Sequence, residues 1–122
     1  IYGNNYSTKD GTCIRDYIHV SDLADIHVAC LKYLKKRKKS LILNCGYGKG
    51  YSVLEIINVF KKINEKLIIS FRKRRPGDIA EVYSDTKKLY KILKWKPKFN
   101  NIKKIIKSSI TWEKKLKSRK LI

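Results

Sequence analysis

The segment Arg72-Lys73-Arg74-Arg75-Pro76-Gly77-Asp78 puts three arginines into four positions and follows them with a turn. Guanidinium forks on a constrained turn can each bind two phosphate oxygens at once, which suits a diphosphate. Asp78 is badly placed against phosphate and well placed to accept hydrogen bonds from ribose hydroxyls. Together these residues suggest a nucleoside diphosphate, although a solvated basic turn accounts for the same pattern. A second candidate is Thr12-Cys13-Ile14-Arg15-Asp16-Tyr17-Ile18-His19. Arg15 stands just before a predicted strand in mostly apolar company and needs an anion. That anion is either a protein carboxylate such as Asp16 or, again, phosphate. His19 on the strand and His27 inside a helix read as hydrogen-bonded structural residues, and neither is given a catalytic role.

No catalytic assembly is assigned: no Ser/His/Asp set, no paired carboxylates, and no Tyr-x-x-x-Lys pair for proton transfer to a sugar hydroxyl. Gly46, Gly48 and Gly50 sit where a dinucleotide fingerprint would, but its third glycine would fall at Tyr51. The acidic residue expected about 20 positions later is also missing, since Phe71 and Arg72 stand there. These glycines read as a flexible connection, so no cofactor-binding residue is assigned. Cys13, Cys30 and Cys45 are odd in number and widely spaced, which excludes a metal site or a disulfide framework and points to a reduced, cytoplasmic setting.

The 122 residues suffice for one core. The net charge is +20, from 30 Lys and Arg against 10 Asp and Glu. Only six of those cations are Arg, and the chain is also rich in Ile and Asn, the signature of an A·T-rich coding sequence. The lysines are spread along the predicted helices, so a solvated surface is expected. A basic nucleic-acid-binding module is the alternative of another class, against which stands the lack of aromatics among the basic runs. No signal peptide and no membrane span is read. The chain opens on Ile1 and holds no methionine, so a fragment of a longer polypeptide is expected.

These candidates need positioning elements. Residues 1–13 read as a turn-rich loop and Asp16–Val20 as a strand. Ser21 and Asp22 offer N-cap oxygens to a helix with Leu23, Ile26, Ala29, Cys30, Tyr33 and Leu34 on one face, closed by the basic run 35–39. A strand is predicted at Leu41–Cys45. Ser52 and Glu55 make a capping box for a helix carrying Val53, Ile56, Ile57, Phe60 and Ile63. A turn at Asn64-Glu65-Lys66 leads to a strand at Leu67–Phe71. Asp85 caps a short helix through Leu93, and Trp95 and Pro97 form a connector. Asn100 or Asn101 opens the last helix, with Ile102, Ile105, Ile106, Ile110 and Trp112. The order implies an α/β layer arrangement in residues 1–115, with a basic, frayed tail at 116–122.

The stretch Asp10-Gly11-Thr12-Cys13-Ile14-Arg15-Asp16-Tyr17-Ile18-His19-Val20-Ser21-Asp22-Leu23-Ala24-Asp25 closely resembles the DGT-x-x-RDYIHV-x-DLA motif of UDP-glucose 4-epimerases. The resemblance continues through Leu43–Val53, Arg74-Arg75-Pro76-Gly77-Asp78 and Trp95-Lys96-Pro97. That family belongs to the extended short-chain dehydrogenases, with a Rossmann-like NAD(P)-binding fold. The resemblance implies the C-terminal, substrate-binding part of such a fold, with the N-terminal Rossmann half, its NAD and its Tyr-x-x-x-Lys pair absent. It also implies that Arg15 and Arg75 contact the diphosphate, Tyr17 lies beside the nucleotide, Asp78 binds the ribose, and Ile1 and Tyr2 lie against the uracil. Val82 matches a position flanking the sugar, where a larger Tyr occurs in some members; the smaller side chain would admit N-acetylated sugars.

The reaction so implied interconverts UDP-galactose and UDP-glucose. NAD takes hydride from sugar C4, and the keto sugar turns and takes it back on its other face. Expected partners are the UDP-sugar, the chain's own N-terminal Rossmann domain and a second copy in a homodimer, with no nucleic acid and no membrane; the chain alone is expected to be inactive. Another NAD-dependent nucleotide-sugar epimerase, dehydratase or decarboxylase of the same fold is the alternative within the class.

Overall fold

The apolar spacing after His19 closes into an 18-residue helix, α1 (Val20–Arg37), in a computed structural model that describes residues 1–63 and 66–119. Its N-cap is His19, whose Nδ1 accepts from the Ser21 N–H at 3.1 Å. Ser21 and Asp22, expected to cap, therefore lie inside the first turn. Asp22 is fully buried and accepts from the Tyr47 hydroxyl at 2.6 Å and from the N–H groups of Lys98 (3.1 Å) and Phe99 (2.9 Å). Burial pushes its pKa up, but these hydrogen bonds outweigh it and hold the carboxylate below its ordinary value. The helix ends at Lys38 in the left-handed conformation, and Lys35, Lys36 and Arg37 complement the dipole of its last turn.

Helix α2 (Val53–Lys61) starts with the expected capping box: Ser52 Oγ accepts from Glu55 N–H at 3.0 Å, and Glu55 Oε2 accepts from Ser52 N–H at 2.7 Å. The short α3 (Lys87–Leu93) is capped at Thr86 without a side-chain bond; Asp85, one residue further out, accepts from Lys87 N–H at 3.0 Å. In α4 (Ile102–Ser118) Asn101 accepts from Lys104 N–H at 3.1 Å. This helix continues through Ser118, beyond residue 115 and into the stretch read as a tail.

Three short strands form one mixed sheet in the order β2-β1-β3. Strand β1 (Ile14–Asp16) pairs antiparallel with β2 (Gly50–Ser52) and parallel with β3 (Glu81–Val82). The strand expected at Asp16–Val20 thus lies at Ile14–Asp16. Ile14, Arg15 and Asp16 have ladder partners, whereas Tyr17-Ile18-His19 turn into the cap of α1. The predicted strands at 41–45 and 67–71 are not strands. A strand exists only as a ladder with a neighbour, and among the described residues near the second segment there is a single bridge, Tyr2 to Arg72. Ile42 is accordingly 87% exposed. The turn expected at Asn64-Glu65-Lys66 has its first two residues outside the described ones.

The core gathers Ile26 from α1, Tyr47, Leu89 from α3 and Trp95, with Ile18, Leu43, Cys45 and Ile105 packed around it. Helix α1 packs on α3 and α2 on α4. The arrangement is mixed α/β, with β1 placed so that its Arg15 emerges beside β3.

Candidate functional site

Register brings the first two site residues together: Arg15 on β1 is the Cα partner of Val82 on β3. The arginine turn closes above them. Asp78 N–H donates to the Arg75 carbonyl at 3.2 Å, and the Asp78 carboxylate accepts from Arg75 Nε at 3.0 Å. Its other oxygen lies 3.8 Å from Arg15 Nη2. Arg15 is held further by its Nη1, which donates to the Ile14 carbonyl at 2.7 Å. One carboxylate therefore sits between two guanidinia, leaving a net positive charge. The Arg75 side chain stays 61% exposed, and its guanidinium carbon stands 4.8 Å from the Tyr2 ring centroid. Its pKa is raised by the Asp78 hydrogen bond and charge, which keep it ionised.

Tyr17 is half-buried beside this group. Burial raises its phenol above the ordinary value, Cys13 adds to the shift and the Arg15 charge opposes it. Ile1 is anchored by its backbone: its amino group donates to Ser70 O at 2.6 Å and its carbonyl accepts from Arg72 N–H at 2.7 Å. A cleft of about 430 Å³ opens between Arg15, Asp16, Asn44, Val82, Tyr83 and Ser84. Five of the seven expected site residues (Tyr2, Arg15, Arg75, Asp78 and Val82) thus lie in one place. Tyr17 is two residues along the chain from Arg15 and feels its charge, and Ile1 is tied to the strand-like edge next to Tyr2.

Sequence reasoning treated the arginines as one group, and the structure divides them. Arg74 turns away from Arg75 and lies over the Tyr6 ring, 4.0 Å from its centroid, with Nε donating to Asn5 Oδ1 at 2.7 Å and Nη2 to the Asn5 carbonyl. Alternation in extended chain was the available signal, since adjacent residues face opposite ways. Asn44 and Tyr83 carried no such signal.

The glycine turn is filled from within. Asp16 accepts from the N–H groups of Tyr47 (3.1 Å), Gly48 (3.0 Å) and Ser84 (3.3 Å). A Cβ on Gly46 would strike the Asp16 carboxylate and come within 2.6 Å of Ser84 Oγ. The donors that would cradle a phosphate in a dinucleotide fold are spent on a protein carboxylate, so these residues do not fit NAD. The string Tyr-x-x-x-Lys does occur, at Tyr83/Lys87 and Tyr90/Lys94, which corrects the sequence reading. Neither is a relay on one helix face. Tyr83 precedes α3, and Lys94 is a left-handed cap while Tyr90 stacks on Trp95 at 5.9 Å. His19 stacks on Phe99 at 4.4 Å. Among the described residues no group of three metal-ligating side chains occurs, and no helix is long and apolar enough to cross a membrane.

By fold, the chain is part of an extended short-chain dehydrogenase. It superposes on UDP-glucose 4-epimerase from Bifidobacterium longum, solved with NAD+ and UDP, with a TM-score of 0.82 and 42% identity, covering 94% of this chain and 34% of that one. The sequence narrows the class. UDP-glucose 4-epimerase of Azospirillum brasilense is 44% identical over 117 residues, 95% of this chain and 34% of that protein. UDP-arabinose 4-epimerase 1 of Arabidopsis thaliana is 46% identical over 115 residues, 93% of this chain and 27% of that protein. No protein-family model matches. Over nearly its whole length the chain is similar to UDP-sugar 4-epimerases, and it spans about a third of the length of the curated relatives it matches.

Proposed function

We propose that this chain supplies the UDP-holding surface of a UDP-glucose 4-epimerase, which interconverts UDP-galactose and UDP-glucose. The observation that carries the reading is the Arg15–Asp78–Arg75 cluster beside Tyr2. The diphosphate takes the remaining donors of Arg15 and Arg75, uracil lies along Ile1 and Tyr2, Asp78 accepts from the ribose hydroxyls, and Tyr17 flanks the nucleotide. These contacts grip the non-reacting end and put no charge-assisted hold on the sugar. The sugar can turn while UDP stays, so binding energy at the remote end retains the substrate between its two faces. NAD, which the Bifidobacterium relative holds, does not fit the filled glycine turn. The proposed activity requires NAD-binding and proton-transfer residues outside this chain. A cytoplasmic homodimer belongs to the same reading.

The test is the product of the chain's full reading frame, given UDP-galactose alone, with UDP-glucose followed over time. Conversion that collapses in Arg75→Ala supports the reading. Tight UDP binding without conversion moves the function to a sister activity of the fold. The Arabidopsis relatives favour UDP-arabinose as a second reading, and a parallel reaction with that substrate separates the two. Val82, 44% exposed on the cleft, leaves room for an N-acetyl group. Turnover of UDP-N-acetylglucosamine that drops selectively in Val82→Tyr is expected, and an enzyme that ignores this substrate removes the idea.

A further inference from the structure

Loop 1–12 and the arginine turn are joined by backbone and by side chains. The first join is backbone: Gly3 N–H donates to Arg72 O at 2.9 Å, beside the Tyr2–Arg72 bridge. The second is the Arg74 side chain, which spends its planar edge on Asn5 and its face on Tyr6. Tyr6 is only 5% exposed, so this face rests on a fixed ring. The contact is close enough to dictate the backbone beneath it. Gly3 adopts φ +82°, and a Cβ there would meet Tyr6 Cε2 at 2.5 Å and Arg74 Cγ at 2.7 Å. On the opposite face of the same two segments, Arg75 lies over Tyr2 and reaches Asp78. Arg75 is mostly exposed, and the ring it lies over, Tyr2, is 51% exposed where Tyr6 is buried.

We infer that Arg74 is a positioning residue for the nucleoside-diphosphate site: its stack on Tyr6 and its fork to Asn5 lock the arginine turn so that Arg75 and Tyr2 face the ligand together. The inference rests on the reading of Arg15, Arg75 and Asp78 as a diphosphate site. A surface cation acting only through its charge would be replaceable by lysine, whereas a fork and a stack need the guanidinium plane.

UDP affinity, measured by calorimetry on the product of the full reading frame, tests this. Arg74→Gln is expected to weaken UDP binding on the order of tenfold, the size of coupling between residues in contact. Arg74→Lys should fare no better, and Arg72→Gln, which removes the same charge two residues away, should lose far less. Tyr6→Leu should match Arg74→Gln, and the double variant should be no worse than either single one. Rescue by Arg74→Lys, an equal loss in Arg72→Gln, or additive losses in the double variant would each overturn the positioning role. Should Tyr6→Leu not fold, the comparison of Lys, Gln and the Arg72 control decides alone. If the unsubstituted protein binds no UDP, the site reading itself falls and this inference with it.

Discussion

The glycine turn at 46–50 and the arginine turn at 72–78 both offer a row of N–H donors, and either would attract an anion in isolation. In the glycine turn the donors are backbone groups, fixed in number and direction, and the single carboxylate of Asp16 accepts from three of the residues around it. In the arginine turn they are side-chain forks. Two guanidinia carry about ten N–H donors, and Asp78 cannot accept them all. A bare backbone nest is cheaply satisfied by the protein and becomes a joint between β1, the glycine turn and the residues after β3. A pair of forks sharing one carboxylate stays incompletely satisfied, and with Arg75 open to solvent it becomes a place for something else to bind.

Removing the joint's anion should produce the largest effect. Asp16→Ala strands several partly buried donors at once and should lower unfolding free energy by about 3 kcal/mol, the cost of losing charge-assisted bonds to buried groups. Denaturant unfolding measures it, and a shift below about 1 kcal/mol would show that water replaces the carboxylate there. The site should respond in the opposite sense. Arg75→Ala should weaken UDP on the order of a hundredfold, the scale of a lost charge-assisted pair, while the thermal midpoint stays where it was. A fall in that midpoint with affinity intact would make Arg75 a structural residue. Smaller is Gly46→Ala, which pushes a methyl into Asp16 and Ser84. Overpacking of this kind costs about 1–3 kcal/mol, and Gly48→Ala, whose nearest neighbour is Thr86 Oγ1 at 3.1 Å, offers the comparison at a position where φ +69° suits glycine and strains any side chain.

How much of this could be read beforehand differs by interaction range. The capping box at Ser52 and Glu55 is local, so residue types and spacing sufficed. They sufficed too for most of the apolar face of α1, although Leu34 is 45% exposed, whereas the strand expected at Asp16–Val20 lies two residues earlier, at Ile14–Asp16. The strands at 41–45 and 67–71 were misread because their apolar, β-prone composition says nothing about whether a partner strand lies alongside. Conversely, β3 is two residues long, and pairing with β1 alone makes it a strand. At the site, the residue types of Arg15, Arg75 and Asp78 carried their chemistry. The division between Arg74 and Arg75 did not follow from composition, because it depends on which face of an extended segment meets Tyr6. The failed fingerprint argued against a dinucleotide at the glycines, but the seat of Asp16 in that nest depends on contacts 31 and 32 residues away in sequence.

The acid response extends the contrast to the other carboxylates committed to structure. Asp22 feels burial first, which raises its pKa, but the Tyr47, Phe99 and Lys98 hydrogen bonds win and lower it from 3.8. Asp10 behaves alike, its burial outweighed by bonds from Ser52 and Thr12. A folded pKa below the unfolded one means that the unfolded chain takes up protons first as pH falls. The stability these groups contribute is therefore complete above about pH 4 and is lost as pH drops through their lowered folded values. Thermal midpoints recorded from pH 6 downward should hold level and then fall below about pH 4. In Asp22→Asn the curve should start lower, because the amide cannot accept on both sides, and should decline less steeply in acid. If Asp22→Asn and the unsubstituted protein decline in parallel, the buried carboxylate is not among the groups that set the acid limit, and the loss must be assigned to Asp10 and the exposed pairs.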